Sequence, residues 1–493
     1  MSREQGAVDH RWPIVVVLVI ALVAGVVAQH RRDERPEPPT VVRAGELMPT
    51  ASASSLSSTW YCAGGTATGK TSGKGSGAAE QTIVIQNAST RSLSGRVTAM
   101  TDSGKSATRS ITVAARDFLD VQVSDLVKAN YAAAVVEVSG GEVAVSHVLR
   151  GPTGTAVAAC SSSASSTWYV PSGSTQPGMH LLLALFNPFP SDAIASVTFA
   201  TDDGARTPEA YDAMVIPGGR VTVLDVTSVV TLRTQLATTV AVREGRLIVD
   251  QIQSADGTAG TAKGLTVTPG APRGASTWWF ADGPATQGVR IQFVVQNPGT
   301  EPADVQLHVR LDQADRNGTV SPFRATVPPG SYWFIDLAKD SRVPVGVGFT
   351  AMASAAGGRP IVVDRVVTAK APATPNGFDV SLGSPLLAER WLVPFASSSA
   401  VHAATLIVTN PSSSHSIKVS ASTVTNGLVT PLQGTDSVEV IPAGGRGGFT
   451  VPAGAGAPSL SLSVTAAVPI VVEERLTYPT SGMSSPLAVP VVG

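Results

Sequence analysis

Ser57-Ser-Thr-Trp-Tyr-Cys62 returns as Ser165-Ser-Thr-Trp-Tyr-Val170, then as Ser276-Thr-Trp-Trp-Phe280, and last as Glu389-Arg-Trp-Leu-Val-Pro-Phe395. The tryptophans Trp60, Trp168, Trp278 and Trp391 are spaced by 108, 110 and 113 residues. Each is followed by an apolar run that ends in asparagine: Thr82–Asn87, Leu181–Asn187, Ile291–Asn297 and Thr405–Asn410. A turn then recurs at Thr101–Gly104, Thr201–Gly204, Asp315–Gly318 and Thr425–Gly427. A Pro/Gly turn follows at Pro217–Gly219, Pro328–Gly330 and Pro442–Gly444, where the first unit has Ala114-Ala115 instead. Each unit closes with two apolar arms: 135–149, 239–253, 349–367 and 462–476. Landmarks in fixed order at a fixed period mark a repeat architecture, here four homologous units.

Inside the units the apolar period is two rather than 3.6, and Asp-Gly, Asn-Gly and Gly-Gly pairs punctuate it. These are strand and turn signals. The predicted fold is all-β, with four tandem immunoglobulin- or fibronectin-like β-sandwich domains after one N-terminal transmembrane helix. The closing arms read as hairpins, and short helical turns are expected around 124–130 and 334–340. Propeller blades also repeat, but about 40–50 residues per blade does not suit units of this length.

Residues 12–28 carry no charge and just reach the length of a membrane span. They read as a signal anchor behind a cytoplasmic tail, 1–11. The alternative is a signal peptide cleaved near Val26-Val27-Ala28, which gives a secreted protein. A Pro/Ser-rich spacer covers 29–55, the four sandwiches 56–160, 165–256, 275–370 and 388–478, and a tail 479–493. Ser/Pro/Gly-rich joints fall at 161–166, 257–275 and 371–387. Cys62 and Cys160, the two cysteines of the chain, suit a single disulfide outside the cytoplasm. Lys+Arg 35 against Asp+Glu 36 leaves no basic excess to hold nucleic acid.

Motifs of chemistry are weak. Gly64–Thr71 has the phosphate-loop pattern, but it follows a Trp strand and leads into a flexible loop rather than a helix. No nucleotide is expected there. Gln313–Arg324 resembles a calcium loop with the wrong first and twelfth ligands. The seven histidines are scattered and no catalytic set recurs. The expectation is therefore a protein that is not an enzyme and carries no cofactor or metal. Acids recur on the closing arms at Asp250, Asp364 and Glu473, with Ser146 in the first unit, and read as a solvated face. The tryptophan is kept in all four units while its neighbour varies (Tyr61, Tyr169, Trp279, Leu392). Strand alternation places the two on opposite faces. The tryptophan is assigned to the core, and Tyr61, Tyr169 and Trp279 are the candidate ligand-facing aromatics.

The layout of tail, apolar segment, spacer and repeated STWYC…NP…PGG units resembles a family of membrane-anchored extracytoplasmic actinobacterial proteins of unknown function. The resemblance implies a cell-envelope role. Expected partners are the membrane, through the N-terminal helix, and an envelope protein or cell-wall glycan. The functional expectation is a tethered scaffold or recognition rod. A ligand-free structural spacer and a cryptic cell-wall hydrolase or transferase are the alternatives.

Overall fold

The computed structural model describes residues 47–493 apart from 71–78, 313–317, 319, 375, 434–436, 480 and 481. The expected anchor at 12–28 lies outside the described residues. Among them, no helix is long and apolar enough to cross a membrane.

Each of the first three repeats folds as two antiparallel sheets closed over one core. In repeat one the strand Ser58–Cys62 pairs with Ala132–Val138, which pairs with Leu93–Thr101 and then Ser106–Val113. The facing sheet runs Asp117–Gln122, Glu80–Asn87, Val143–Gly151, Gly154–Ala159. Numbered along the chain, these are strands 1-6-3-4 and 5-2-7-8. The immunoglobulin order is ABED and CFG, so the unit is an eight-stranded sandwich of different connectivity. Repeat four fuses its two sheets through one long strand, Leu460–Thr477.

That long strand explains why the closing arms are not hairpins. The arms 132–138 and 143–151 never pair with each other; each is an inner strand of a different sheet. The arms 237–244 and 248–255 behave alike, as do 349–355 and 362–369. An inner strand is covered on both sides by neighbours, so both arms are apolar, and the chain crosses between sheets at the Gly-rich kink.

The landmark turns do what their residues allow. Gly104 and Gly204 take positive φ in two-strand hairpins, and Asn426-Gly427 does the same in repeat four. At the Pro/Gly turn Gly219, Gly330 and Gly444 have positive φ, and in repeat one Arg116 takes that place at φ 50°. One-turn helices at Val123–Asp125, Val226–Val229 and Leu337–Lys339 follow equivalent strands.

The four tryptophans are each at most 1% exposed. Indole N–H groups donate to strand carbonyls: Trp168 to Leu247 (3.0 Å), Trp278 to Ile361 (2.6 Å) and Trp391 to Ile470 (3.1 Å). A buried indole satisfied in this way costs nothing in lost water contacts. The recurrent asparagines are buried too. Asn87, Asn187, Asn297 and Asn410 donate from Nδ2 to the carbonyls of Arg91, Ser191, Glu301 and His415, and accept at Oδ1 from the N–H two residues on. Both landmarks are structural. Cys62 and Cys160 form a disulfide.

The repeats do not form a rod. The last strands of the units, Gly154–Ala159, Gly264–Pro269, Gly377–Leu382 and Met483–Ser484, touch in sequence, and the fourth returns to the first. A glycine opens each of the first three because the next strand lies against it. A Cβ at Gly154 would sit 3.1 Å from Leu265 N, one at Gly264 2.8 Å from Phe378 O, and one at Gly377 3.1 Å from Met483 N. Gly482 in turn lies beside Gly154. Two of these strands fall inside 257–275 and 371–387, the stretches expected to be joints. The expected tail also carries strands: Val489–Val492 pairs with the Trp391 strand and, in parallel, with Ala51–Ser52. The beginning and end of the described chain therefore meet where the ring closes.

Candidate functional site

The residue after each tryptophan builds the ring. Tyr61 packs on the core of repeat two, Tyr169 on that of repeat three, and Trp279 against Ile407 and Val471 of repeat four. Leu392, the fourth in the series, is buried in the core of repeat one. The three candidate ligand-facing aromatics are thus half-buried joint residues. The apolar side chain opposite the core tryptophan is covered by the next repeat instead of by a ligand.

The recurrent acids sit at the same joints and are not solvated. Asp250, Asp364 and Glu473 are no more than 2% exposed. Each accepts from a backbone N–H three or four residues after the tryptophan of the preceding repeat. Asp250 takes Ala63 N–H (3.0 Å), Asp364 takes Ser172 N–H (3.1 Å) and Oγ–H (2.8 Å), and Glu473 takes Ala281 N–H (2.8 Å). At the fourth joint Ser146 stands in place of the acid and the chain past Trp391 has Pro394, which has no N–H. There Gln86 Nε2 donates to Leu462 O (2.9 Å), and Arg390 pairs with Glu142. Burial pushes the Asp250 and Asp364 carboxyls up to about 7.

The residue after each acid gives each joint its own chemistry. Between repeats one and two it is His147, 3.8 Å from Asp250 and held by Gln81 (3.1 Å); burial pulls the imidazole down to about 4. Between three and four it is Arg365, fully buried and 2.7 Å from Glu473. Beside it Asp282 is clamped by Arg446 (2.7 Å) and by Arg475 through Nε (2.7 Å). Burial alone would raise the Asp282 carboxyl, but the Arg475, Arg446 and Arg365 charges overcome it and hold the group at about 2.

Two cavities follow from this geometry. One is bounded by the last strands of the first three repeats, by Ser485–Ala488 just past the fourth and by Met48, and measures about 40 Å³. That is room for a water or two. Its one carboxyl, Asp379, is raised to about 6 by burial. The other opens at the joint of repeats two and three and encloses about 220 Å³. The open face of the second sheet of repeat three forms its floor through Gln292, Phe334, Val366 and Phe378. Loops of repeat two carrying Ser174, Gln176, Thr234 and Gln235 form its walls, with Gln253 from a strand. Gln253 donates to Ser174 O (3.3 Å), and its Oε1, at a residue 1% exposed, accepts no hydrogen bond. A buried acceptor without a partner costs about 1–3 kcal/mol; Gln81, Gln86, Gln251 and Gln296 carry the same unpaired oxygen elsewhere in the ring. With its amide oriented by its neighbours, so that the oxygen rather than the nitrogen faces the guanidinium, Gln292 accepts from Arg290 (3.0 Å to Nη2), and Arg290 is held by Asp336 (2.6 Å). Lys370 shares the mouth and donates to Gly260 O.

Sequence reasoning did not pick out this cleft. Its signal lies in comparing the repeats. Three residues past the recurrent Ser/Asp position, Leu149 of repeat one becomes Gln253 of repeat two. Five residues before the recurrent asparagine, Leu182 of repeat two becomes Gln292 of repeat three. At the joint of repeats one and two Leu149 and Leu182 pack with Ile252 and Leu265. At the next joint both leucine positions hold amides.

The phosphate-loop pattern has a different tenant. Thr66 Oγ1 (2.9 Å), Thr68 N (2.8 Å) and Thr68 Oγ1 (2.6 Å) converge on Glu80 Oε1, and Gly69 N on Oε2 (3.0 Å). The loop's donors are spent on a carboxylate of the chain itself. Thr71 and half of the calcium-like loop, 313–317 and 319, lie outside the described residues.

No curated protein matches the chain. Among solved structures it is similar to the Thermotoga maritima 1070 protein (19% identity, 22% of this chain and 94% of that one, TM-score 0.20). It is also similar to the Anabaena sensory rhodopsin transducer (23% identity, 19% and 82%, TM-score 0.16). A third similarity is to a tetra-tandem repeat from the extending region of a large adhesion protein (12% identity, 82% and 93%, TM-score 0.10). Residues 50–241, which span repeat one and most of repeat two, match a family described as a family of unknown function (DUF5719).

Proposed function

We propose that this chain is a non-enzymatic recognition or scaffold protein of a bacterial cell envelope. Residues 12–28 tether it to the membrane, or its ring is secreted after their removal. The observation that carries the reading is the contrast among joints. In a ring whose joints are closed by buried side chains, the one between repeats two and three opens into a polar cleft. The cleft's lining has amides, hydroxyls and two cations but no carboxylate or imidazole. Such a lining can hold a ligand. Cleaving a glycosidic bond takes a pair of positioned carboxyl groups, and the lining supplies neither. A spacer of independent units has no use for joints in which each repeat completes its neighbour's core. The Cys62–Cys160 disulfide suits an oxidising compartment, and the resemblance to envelope proteins agrees.

The test is retention. Residues 44–493, immobilised, are exposed to purified cell-wall polymer and, separately, to detergent-solubilised envelope proteins. Capture by either supports recognition, and capture by neither overturns it. Carbonate-washed membranes from cells making the full chain should keep it, whereas the chain from residue 44 onward should wash off.

A further inference from the structure

The cleft between repeats two and three also indicates what kind of ligand fits it. We infer that it binds an oligosaccharide, with sugar hydroxyls on the Gln253 and Gln292 amides and a pyranose face on Phe334. This rests on the recognition reading above and names the ligand class for it.

The composition of the lining carries the inference. A glutamine side chain presents a donor and an acceptor side by side, which matches the alternating donor and acceptor character of vicinal hydroxyls. Gln176, Gln235, Gln253 and Gln292 bring four amides to one cleft. Gln176 Nε2 is 2.7 Å from Thr234 Oγ1 and Gln292 leans on Arg290, so these amides are already oriented. Gln253 Oε1 is buried and unpartnered. Beside them the half-buried Phe334, backed by the buried Phe378, gives an apolar floor suited to the C–H face of a sugar ring. A peptide adding to a strand edge would not use this floor, which is the face of a sheet with its inner strands Val289–Gln296 and Val362–Ala369 hydrogen-bonded on both sides. A nucleotide would ask for unshared cations, but Arg290 is held by Asp336 and Lys370 donates to a backbone carbonyl.

Titration calorimetry of residues 44–493 against a panel of soluble cell-wall oligosaccharides tests the inference. Binding to at least one is expected. The double variant Gln253→Leu, Gln292→Leu installs the residues that the preceding joint already tolerates, so the ring stays folded; circular dichroism melting verifies that. It should bind the same oligosaccharide at least tenfold more weakly. Leu149→Met at the apolar joint should leave affinity unchanged. Undiminished affinity in the folded double variant overturns the site. Failure of every oligosaccharide, with envelope proteins still captured, overturns the ligand class and leaves recognition standing. Failure of both overturns the two together.

Discussion

The joint between repeats one and two and the joint between repeats two and three are built on one plan and filled differently. Both set an aspartate against the N–H groups past a tryptophan strand, and both are crossed by an aromatic from the preceding repeat. The first is sealed by Leu149, Leu182, Ile252 and Leu265. The second has Gln253 and Gln292 at the two leucine positions and stays open by about 220 Å³. The lesson is that duplication supplies the backbone of a joint, while a few inward residues decide whether it is a weld or a mouth. The third joint shows another filling, a buried ion pair. Breaking such a pair is expensive even where forming it yields little.

Removing one partner of that pair is the largest expected effect. Arg365→Leu should destabilise the ring by about 3–5 kcal/mol, because Glu473 is left charged or must take up a proton; urea unfolding at pH 7.5 measures it. Next comes the disulfide. It ties the Trp60 strand to the end of the last strand of repeat one across a separation of 98 residues, and its reduction should cost about 2–5 kcal/mol. Paired urea melts with and without reductant will show it.

A reciprocal swap sharpens the contrast of the two joints. Leu149→Gln places an amide in the sealed joint and should cost roughly 1–3 kcal/mol. Gln253→Leu in the open joint removes an orphaned acceptor and should be close to neutral. Equal losses from the two in thermal melts would refute the distinction between them.

The smallest effect is read from pH. Asp364 protonates near 7 in the fold and near 4 in the unfolded chain. Its contribution to stability is full below about pH 4 and is lost as the pH rises to 7. His147 runs the other way. Its folded value lies near 4, so its contribution is present above about pH 6.5 and is lost as the pH falls. At the sealed joint the slopes of His147 and Asp250 oppose each other. At the open joint Gln251 stands where His147 would be, and Asp364 acts alone. Asp364→Asn should therefore flatten the gain in stability from pH 7 to pH 5, and His147→Gln should steepen it, each by about 1 kcal/mol per pH unit. Urea midpoints across that range check both.

Much of this was legible in the chain. Trp60 and its three counterparts, with Asn87 and its three, gave the period, and both series occupy buried, repeated positions. The core assignment of tryptophan followed from comparing it with its variable neighbour. The closing arms read as hairpins in the sequence because two apolar runs around Ser139-Gly140-Gly141 look the same whether they pair with each other or part into two sheets. The last strands were missed because Gly264–Pro269 and Gly377–Leu382 lie in Gly/Pro/Thr-rich stretches that resemble joints. Asp250 and its sisters looked solvated because a lone carboxylate among valines on a strand has no visible partner; its partner is a backbone N–H 187 residues earlier.

By itself, the sequence determined what is local and periodic: strands of period two, turns that need positive φ, a tryptophan per unit and one disulfide. Closure of the ring, burial of the acids and opening of the cleft were decided by tertiary structure alone. Each depends on contacts between residues a hundred or more positions apart, and spacing along the chain does not show which of the equivalent faces will meet.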